Sequence, residues 1–338
     1  MKDPLVSIIL LGYNSEKDIK ECIDSLKKQT YKNFEIIFVD NNSKDNSVQL
    51  IKENYPGVKL ILNPKNYGFS RGNNIGIKNS KGDYVIILNP DTILDKSWLK
   101  NLVNVANKTD YDILQSKILF FDNKKINSMG NLIHYLGYSF CDGYGKTDSK
   151  INNDVKNIVS ASGCCMLVKR PVFDKVGFFD ENMFMYYEDS DFSWRARLMG
   201  FKIGLVPNSI VYHKYTFSKN KNKFYYLERN RLIFLFKNYS LKSLLLISPA
   251  LILNEIGTFF YFLKEMIPHK KINSYFSILM NFNKIMKDRK YIQKNRTVND
   301  EEIFKHFNKN FEFSEINGSI QKIFNLIFQK YGELVLRI

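Results

Sequence analysis

The sequence predicts an α/β protein whose mostly parallel, Rossmann-like sheet is flanked by helices and followed by a helical, membrane-associated extension. Three observations support this prediction. Apolar runs alternate with amphipathic helical stretches over the first hundred residues, which is typical of βαβ units. The run at residues 84–88 is apolar without interruption, as in strands buried on both faces. Three runs end in polar clusters, where ligands of open α/β sheets bind.

The alternation can be followed along the chain. Strands are predicted at residues 5–11, 35–39, 58–62 and 84–88. Ile19, Cys22, Ile23 and Leu26 repeat with helical spacing between the first two strands, and further helices are predicted around Val48 and Ile51 and around Ile75 and Ile77. Residues 110–157 show weak periodicity and predict only short strands. An apolar run at 159–168 and two segments at 206–207 and 210–213 predict the closing strands.

The composition is that of a sizeable globular chain. With 338 residues and 44% hydrophobic content, one large domain and an appendage are expected. The cysteines form no C-x-x-C pair and no disulfide-like spacing, which fits a reducing cytoplasmic compartment. A strand-like run begins at Leu5, so no signal peptide or transit segment is expected.

The positive charge is concentrated in the last third of the chain. Of the net charge of +16, residues 1–215 hold 29 Lys and Arg against 24 Asp and Glu, or +5, while residues 216–338 hold 21 against 10, or +11. A basic excess suggests nucleic acid or an anionic membrane. Because these cations flank apolar runs and form no recognisable nucleic-acid module, we expect a membrane surface and no nucleic acid.

The chain is expected to divide at residue 215 into an α/β domain, 1–215, and a helical region, 216–338. The apolar run at 244–263 has the roughly 20 residues needed to span a bilayer. Glu255 near its middle would cost about 2.5–3.5 kcal/mol on insertion scales. An interfacial or re-entrant hairpin hinged at Pro249 is therefore predicted, with a spanning helix or a packed helical subdomain as alternatives.

Two common nucleotide motifs are missing from the sequence. No G-x-G-x-x-G follows the first strand, and no G-x-x-x-x-G-K-[ST] occurs, which argues against a dinucleotide dehydrogenase and a P-loop NTPase. A nucleotide held mainly by side chains at strand ends remains. At one such end, Asn89-Pro90-Asp91 forms either a plain polar turn or a site at which amide and carboxylate oxygens bind a hard cation.

Acidic residues also cluster at Glu188, Asp189 and Asp191, among large aromatic residues. Burial among aromatic walls raises a carboxylate pKa, and nearby cations lower it. The three residues open a predicted helix. They are therefore either functional acids or residues that merely favour the positive end of the helix dipole.

Five motifs occur in order over residues 5–215, at 6–14, 39–43, 66–76, 88–92 and 187–195. Together they resemble those of the family 2 glycosyltransferases, inverting enzymes of the GT-A fold that use nucleotide sugars. One motif alone is a weak signal, but five with matching order and spacing are specific. The resemblance is strongest to the rhamnosyltransferase-like members. It implies a hexosyltransferase that moves one sugar to a glycan or lipid-linked acceptor in cell-surface polysaccharide synthesis, at the cytoplasmic face of the membrane.

The resemblance implies where the donor, linked to dTDP, UDP or GDP, would bind. Residues 6–9 with Tyr13-Asn14 resemble the opening strand and nucleotide-contacting turn, residues 39–43 the turn whose aspartate contacts the base, and residues 66–76 the loop on the diphosphate side. The implied donor contacts are Tyr13, Asn14, Asp40, Asn42, Asn66, Gly68, Arg71, Asn74 and Asn89.

A metal site is implied by residues 88–92, which match the variant metal motif of these members. The usual motif has two aspartates, and Asn89 replaces the first. Asparagine offers an oxygen but no charge, so free Mg2+ or Mn2+ should bind weakly until the diphosphate adds oxygens. Asp91, Asn89 and His213 are the implied ligands.

Residues 187–195 resemble the acidic motif on the acceptor side. Inversion requires a base that removes the acceptor's proton, and a carboxylate is sufficient. The resemblance implies Asp189 as this base, with Asp191 as the second candidate and Glu188 orienting its neighbours.

Two other functions are alternatives to a transferase of a single sugar. A processive polysaccharide synthase is disfavoured, because Trp98 and Trp194 lie in no Q-x-x-R-W context. A catalytically silent membrane-associated scaffold, or a sugar-nucleotide-binding protein, stays open because Asn89 departs from the usual motif.

Overall fold

The computed structural model describes residues 3–148, 154–214, 222–305 and 318–336, with side chains except those of 318–324 and 335–336. The chain forms two compact units. The α/β unit comprises Met1–Asn131, Cys141–Ala196 and Phe201–Phe217, and the helical unit comprises Leu132–Phe140, Arg197–Gly200 and Ser218–Ile338. The helical unit thus takes two short segments from within the first two thirds of the sequence.

The strands alternate with helices as far as residue 108 and then become more frequent. In chain order the strands are β1 (Val6–Gly12), β2 (Phe34–Asp40), β3 (Lys59–Leu62), β4 (Tyr84–Leu88), β5 (Thr92–Leu94), β6 (Ile113–Phe120), β7 (Ile126–Ser128), β8 (Asn131–Ile133), β9 (Ser139–Cys141), β10 (Lys156–Asn157), β11 (Cys165–Lys169) and β12 (Ile203–His213). The helices are α1 (Glu16–Lys27), α2 (Ser47–Asn54), α3 (Gly68–Lys78), α4 (Trp98–Lys108), α5 (Arg170–Val176), α6 (Glu188–Leu198), α7 (Asn222–Asn238), α8 (Leu241–Lys264), α9 (Pro268–Met280), α10 (Phe282–Asn295), α11 (Asp300–Phe304) and α12 (Gly318–Leu336).

The main sheet has the order β10-β12-β6-β11-β4-β1-β2-β3. The strands β4, β1, β2 and β3 run parallel, as do β12 and β6, whereas β11 is antiparallel to both of its neighbours. Gly12 lies opposite Asp40 and Leu10 opposite Leu88. Because these strands are in register, their polar ends meet at one edge. The prediction of a mostly parallel sheet flanked by helices is confirmed.

The core of the α/β unit follows the predicted pattern. The predicted helical stripe of Ile19, Cys22, Ile23 and Leu26 is fully buried on α1, and it packs in one cluster with the apolar residues of β1 and β4. Full burial of such a side chain contributes about 1.5–3 kcal/mol. This burial fixes the strands whose ends form the candidate site.

An eight-residue strand, β6, occupies a region where only short strands were predicted. Its polar residues are buried and satisfied by distant partners. Gln115 Oε1 accepts from the Ser162 N–H at 2.6 Å, Ser116 Oγ accepts from Trp98 Nε1 at 2.9 Å, and Lys117 pairs with Asp148. Buried polar groups with partners are compatible with a central strand, but they interrupt the apolar pattern that would reveal one.

The strand predictions near the end of the α/β unit also differ from the structure. The two predicted segments at 206–207 and 210–213 are one strand, β12, with an irregularity between Val206 and Ile210. Pro207 has no N–H for the ladder, so a local break is expected there. The strand predicted at 159–168 begins only at Cys165, after the polar segment 160–163.

The hinge predicted at Pro249 is absent, because α8 continues through this residue as one helix of 24 residues. Proline leaves the carbonyl four residues earlier without its helical donor. That carbonyl, of Leu245, accepts instead from Ser248 Oγ at 2.8 Å. The local hydroxyl therefore lets the helix pass through proline without a break.

Candidate active site

The turns after β1 and β2 are joined by hydrogen bonds. The Asn14 N–H donates to Ser43 Oγ at 2.9 Å, and Asn14 Oδ1 accepts from the Lys44 N–H at 2.8 Å. Asn14 has a φ of 54° and Asn42 a φ of 67°, a conformation that asparagine tolerates better than most residues. Tyr13 is 51% exposed between these turns. Its ring is therefore available to a ligand, whereas Asn14 serves to fix the turn.

Asp40, the last residue of β2, is 3% exposed. Its Oδ2 accepts from the Ser43 N–H at 3.0 Å. Its Oδ1 is buried and has no hydrogen-bond partner among the described residues. A buried acceptor without a donor is costly, so Asp40 suits a ligand that supplies an N–H.

Asn41, which the sequence analysis did not select, positions the loop before α3. Its Nδ2 donates to the Gly68 carbonyl at 3.0 Å, and its Oδ1 accepts from Asn63 Nδ2 at 2.9 Å. Asn42, the predicted contact, has instead an Oδ1 that accepts from Lys44 Nζ at 3.0 Å. The position of Asn41 and Asn42 after a strand end marks both residues as candidates in the sequence, but it does not distinguish their roles.

The start of α3 is held against the segment that precedes α6. The Phe184 carbonyl accepts from the N–H groups of Phe69 (2.6 Å) and Ser70 (3.2 Å), and the Gly68 N–H donates to Asn66 Oδ1 at 2.8 Å. Helix N-termini bind anions through such N–H groups. Because these three already have protein acceptors, a diphosphate here would depend on side chains.

Two further predicted donor contacts also make protein contacts. The Asn74 amide donates to the Phe179 carbonyl at 2.9 Å and accepts from the Phe179 N–H at 3.1 Å, so both ends of the amide hold the 179–187 segment. Arg71 lies over the Tyr67 ring, 4.0 Å from its centroid, and 3.7 Å from Glu181. Asn74 is therefore structural in this arrangement, whereas Arg71, 48% exposed in its side chain, can reach a ligand.

The Asn89-Pro90-Asp91 turn joins β4 to the short strand β5. Thr92 Oγ1 donates to the Asn89 carbonyl at 2.7 Å, which closes the turn. The strand β5 then pairs with β12, where Thr92 lies opposite His213. This pairing brings the end of β12 to Asp91 across 122 residues of sequence, and the Asp91 Oδ1 to His213 Nε2 distance is 3.3 Å.

The protonation of His213 can be inferred from its other nitrogen. His213 Nδ1 lies 3.1 Å from Asn127 Oδ1, an acceptor. Nδ1 therefore carries the proton of the neutral ring, and Nε2 faces Asp91 with its lone pair. Asp91 Oδ1 is buried and forms no hydrogen bond among the described residues. A divalent ion bound by Asp91 Oδ1 and His213 Nε2 would fit between these two atoms.

The donor set fits a divalent ion that also binds a ligand's oxygens. Carboxylate, imidazole and amide groups all coordinate such ions. In the described part of the chain, no group of three or more His, Cys, Asp and Glu side chains is assembled for a metal. Asp91 and His213, with Asn89 two residues away, leave coordination positions for a diphosphate.

Asp189 is held at the start of α6 by neighbouring backbone. Its Oδ2 accepts from the Gly163 N–H at 2.9 Å and from Asn131 Nδ2 at 3.4 Å, and its Oδ1 accepts from the Ser190 N–H at 2.6 Å. Burial raises the pKa of Asp189 above its ordinary value, and these hydrogen bonds oppose the rise. A partly buried, oriented carboxylate with a raised pKa suits a general base.

Glu188 and Asp191 differ from Asp189. Burial, followed by the charge of Asp189, raises the pKa of Glu188 well above its usual range. Asp191 is fully buried and accepts from Arg195 Nε at 2.9 Å, while Arg195 also donates to the Val176 and Phe178 carbonyls. This geometry favours Asp189 over Asp191 as the base, and the role of Asp191 is to anchor α6.

Two consecutive residues connect the base to the metal turn. The Gly163 N–H donates to Asp189, and the Cys164 carbonyl accepts from the Asn89 N–H at 2.9 Å. Consecutive Cα atoms lie about 3.8 Å apart, so the candidate base and the candidate metal turn are neighbours. Neither Gly163 nor Cys164 was selected from the sequence, because no motif marks them.

The chain is similar in sequence to a curated hexosyltransferase. The chain is 30% identical over 207 residues to the low-salt glycan biosynthesis hexosyltransferase Agl10 of Haloferax volcanii, covering 59% of this chain and 64% of that protein. The chain thus spans less than two thirds of the length of this relative.

Solved structures show the same fold. GalNAc-T7, with UDP, GalNAc and Mn2+, has a TM-score of 0.60 at 17% identity over 69% of this chain and 48% of its own. The mannosyltransferase PcManGT of Pyrobaculum calidifontis, with GDP-Man and Mn2+, has a TM-score of 0.51 at 17% identity over 70% of this chain and 64% of its own. Both comparisons support the GT-A fold predicted from the sequence.

The family model described as "Glycosyl transferase family 2" matches residues 7–177, which is half of the chain. The match includes the strand ends at Asp40 and Asp91 and the segment at Gly163 and Cys164. On this match, the chain belongs to glycosyl transferase family 2.

Proposed function

We propose that this chain is an inverting glycosyltransferase that moves one hexose from a nucleotide sugar to a glycan or lipid-linked acceptor. The observation that carries the proposal is the pair Gly163 and Cys164, which holds Asp189 through one residue and the Asn89 turn through the next. An inverting displacement needs a base on one side of the reacting carbon and a leaving-group site on the other. The short covalent path between the two groups supports this proposal, because it keeps both within reach of one bound sugar.

The chemistry follows from the residues. The acceptor hydroxyl binds beside Asp189, whose carboxylate takes the proton as the oxygen attacks the anomeric carbon. The bond from that carbon to the diphosphate breaks on the opposite face. Asp40 accepts from the nucleotide base, and Tyr13 offers its exposed ring for stacking on it.

A divalent ion, Mg2+ or Mn2+, fits the site. Asp91, His213 and Asn89 would hold it, and it would supply positive charge to the departing diphosphate. Two structural neighbours contain Mn2+, which supports this part of the proposal. Because Asn89 is neutral, the diphosphate is expected to complete the site. Arg71 is the protein cation that we place nearest to the phosphates.

The cellular setting belongs to the same proposal. The relative named for glycan biosynthesis supports a role in cell-surface polysaccharide or glycoconjugate assembly. We place the protein at the cytoplasmic face of the membrane, with a UDP-, dTDP- or GDP-linked donor. The rhamnosyltransferase-like assignment rests on the variant motif at residues 88–92.

A panel of nucleotide sugars tests the activity, with donor hydrolysis or transfer as the readout. Asp189→Asn keeps the shape of the side chain but removes the base, so kcat should fall by about 10²–10⁴-fold. Binding of the nucleotide, measured by calorimetry, should persist. Asp174→Asn is the matched control, since Asp174 is exposed on α5, and it should keep full activity.

Two outcomes would contradict the assignment. Full activity of Asp189→Asn and of Asp91→Ala would show that the site lies elsewhere. If UDP, dTDP and GDP fail to bind the unmodified chain with or without Mn2+, the scaffold alternative would be favoured instead.

A further inference from the structure

One face of α8 is apolar and exposed along the whole helix. Its residues repeat at intervals of three, four or seven positions, which places them on one side, and they are 41–66% exposed. They are Leu241, Leu245, Ile252, Ile256, Phe260 and Leu263. We call this set the α8 apolar face. An 18-residue stretch of α8 has a mean hydropathy of 1.6, and 22% of that stretch is buried. The helix is therefore long and apolar enough to cross a membrane.

The opposite side of α8 is tied to other helices of the helical unit. Near the start of α8, Ser243 Oγ donates to Asp300 of α11 at 2.5 Å, and the Leu246 carbonyl accepts from Tyr331 of α12 at 2.7 Å. Further along, Glu255 pairs with Arg231 of α7 and with Lys271 of α9, the latter at 2.7 Å. These contacts hold α8 over most of its length.

The helices that flank α8 are too polar for the hydrocarbon core. If α8 crossed a bilayer, α7 and α9 would have to enter with it, because Glu255 is paired with both. Helix α9 begins with Pro268, His269, Lys270 and Lys271, and α10, which packs on α7, carries four lysines and an arginine. Charged residues in the membrane core are costly. An orientation in the plane of the membrane leaves these helices in water.

Basic residues of α10 lie beside the first position of the apolar face. Leu241, at its first position, lines a cleft of about 440 Å³ together with Arg289 and Lys290 of α10. On the same helix Lys287 and Lys294 are exposed. An apolar stripe bordered by cations is the pattern of helices that lie at the surface of anionic membranes.

We infer that the helical unit binds an anionic lipid bilayer, with α8 in the plane of one leaflet, its apolar face among the acyl chains and the α10 lysines at lipid phosphates. The inference rests on the membrane surface named in the proposed function and adds the lipid class, the face and the orientation. Binding is measured without a sugar donor or acceptor. A failure of the inference is therefore distinct from a failure of sugar transfer.

The orientation is tested by tryptophan fluorescence on the full chain. Trp98 and Trp194 are fully buried, so brominated lipids should not quench them. In Leu245→Trp, Ile252→Trp and Phe260→Trp, lipids with bromine near the headgroup should quench all three new tryptophans equally. The inference would be overturned if Ile252→Trp were quenched most by bromine near the chain ends, or if none were quenched.

The lipid class is tested by flotation with phosphatidylcholine vesicles that contain or lack phosphatidylglycerol. Combined Lys287→Glu, Lys290→Glu and Lys294→Glu should reduce binding to the anionic vesicles by at least about tenfold, since each lysine near the surface contributes to attraction. The matched control reverses three exposed lysines of the α/β unit, Lys28, Lys52 and Lys100, and should bind like the unmodified chain.

The apolar face is tested in the same assay. Combined Ile252→Glu and Ile256→Glu should abolish flotation, while Leu62→Glu, at a 53% exposed position of β3, should not. Thermal unfolding checks that each variant folds. Equal binding by the Glu variant and its control, or binding only to neutral lipid, would overturn the inference. The inference would also be overturned if the unmodified chain bound no vesicles but self-associated, and if these substitutions abolished that self-association.

Discussion

Gly68 combines two constraints at one position, a φ of +76° and a neighbour that leaves no room for a side chain. A Cβ at Gly68 would lie 2.5 Å from the Phe184 carbonyl oxygen. This distance is far below ordinary contact, and a backbone atom cannot move aside as a flexible side chain does. The glycine therefore sets how closely the loop before α3 approaches the segment before α6.

We expect Gly68→Ala to lower the free energy of unfolding by at least about 1 kcal/mol, because left-handed backbone disfavours a Cβ, and to raise the KM for the donor. Urea unfolding and initial rates measure the two effects. Gly57→Ala is the matched control, since a Cβ there meets nothing within 4 Å. Equal behaviour of the two variants would contradict the close approach.

Glu188 makes the stability of the α/β unit depend on pH. Burial raises its folded pKa above the ordinary 4.5. The unfolded chain therefore ionises first as the pH rises, and stability falls from about pH 4.5 upward until the folded pKa is reached. Glu188→Gln, neutral at every pH, should match the unmodified chain below pH 4.5 and have the higher Tm above it.

Calorimetric scans over a pH series measure this difference. Glu53→Gln, at an exposed position of α2, is the control and should leave the pH dependence of Tm unchanged. A Glu188→Gln curve that runs parallel to that of the unmodified chain at all pH values would show that Glu188 ionises normally.

Among the elements, α7, α8 and α9 are joined by buried charges. Arg231, 1% exposed, pairs with Glu228 and Glu255 and donates to the Leu136 carbonyl at 3.0 Å. Lys271, fully buried, pairs with the same two carboxylates. Two cations and two anions balance one another. Removal of one partner leaves a buried charge without compensation.

We therefore expect Arg231→Met to destabilise the helical unit by about 3–5 kcal/mol. Hydrogen exchange of α7, α8 and α9 measures this locally. Lys242→Met is the matched control, because the Lys242–Glu301 pair is exposed, with side chains 72% and 70% accessible, and such pairs contribute about 0–1 kcal/mol. Unchanged hydrogen-exchange protection in Arg231→Met would show that the buried ion pairs do not stabilise these three helices.

The sequence predicted best those elements whose burial is purely apolar. Strand β4 was predicted with its observed bounds, and β1 and β2 within one residue at each end. Strand β6 was not recognised, because Gln115 and Lys117 are buried with partners that come from distant loops. Local periodicity contains no information about such partners.

The same distinction holds in the candidate site. Asp91 and Asp189 lie in motifs of fixed spacing, and the structure brings Asp189 and Asn89, two residues before Asp91, to residues 163–164. Gly163, which donates to Asp189, lies in an irregular segment, whereas Asn127 and Asn131, which contact His213 and Asp189, lie in the three-residue strands β7 and β8. Strands this short are too brief to show an alternating pattern, so the roles of these residues become visible only once the strands are paired.

At the scale of the whole molecule, the family match and the charge fall on different parts of the chain. The match ends at residue 177, whereas residues 216–338 hold +11 of the net charge of +16. The role of the helical unit must therefore be argued from its own surface. A membrane contact was expected from composition, but that α8 continues through Pro249 as one helix with an exposed apolar face was seen only in the structure.

The shared carbonyl of Phe184 also has a consequence for ligand binding. It accepts from the first N–H groups of α3, and it lies four residues before Glu188. A donor that tightens the loop before α3 must therefore act on the segment that leads to the base. By thermodynamic reciprocity, the acceptor then tightens the donor by the same factor. If the chain is the proposed glycosyltransferase, its donor and acceptor are therefore expected to bind cooperatively.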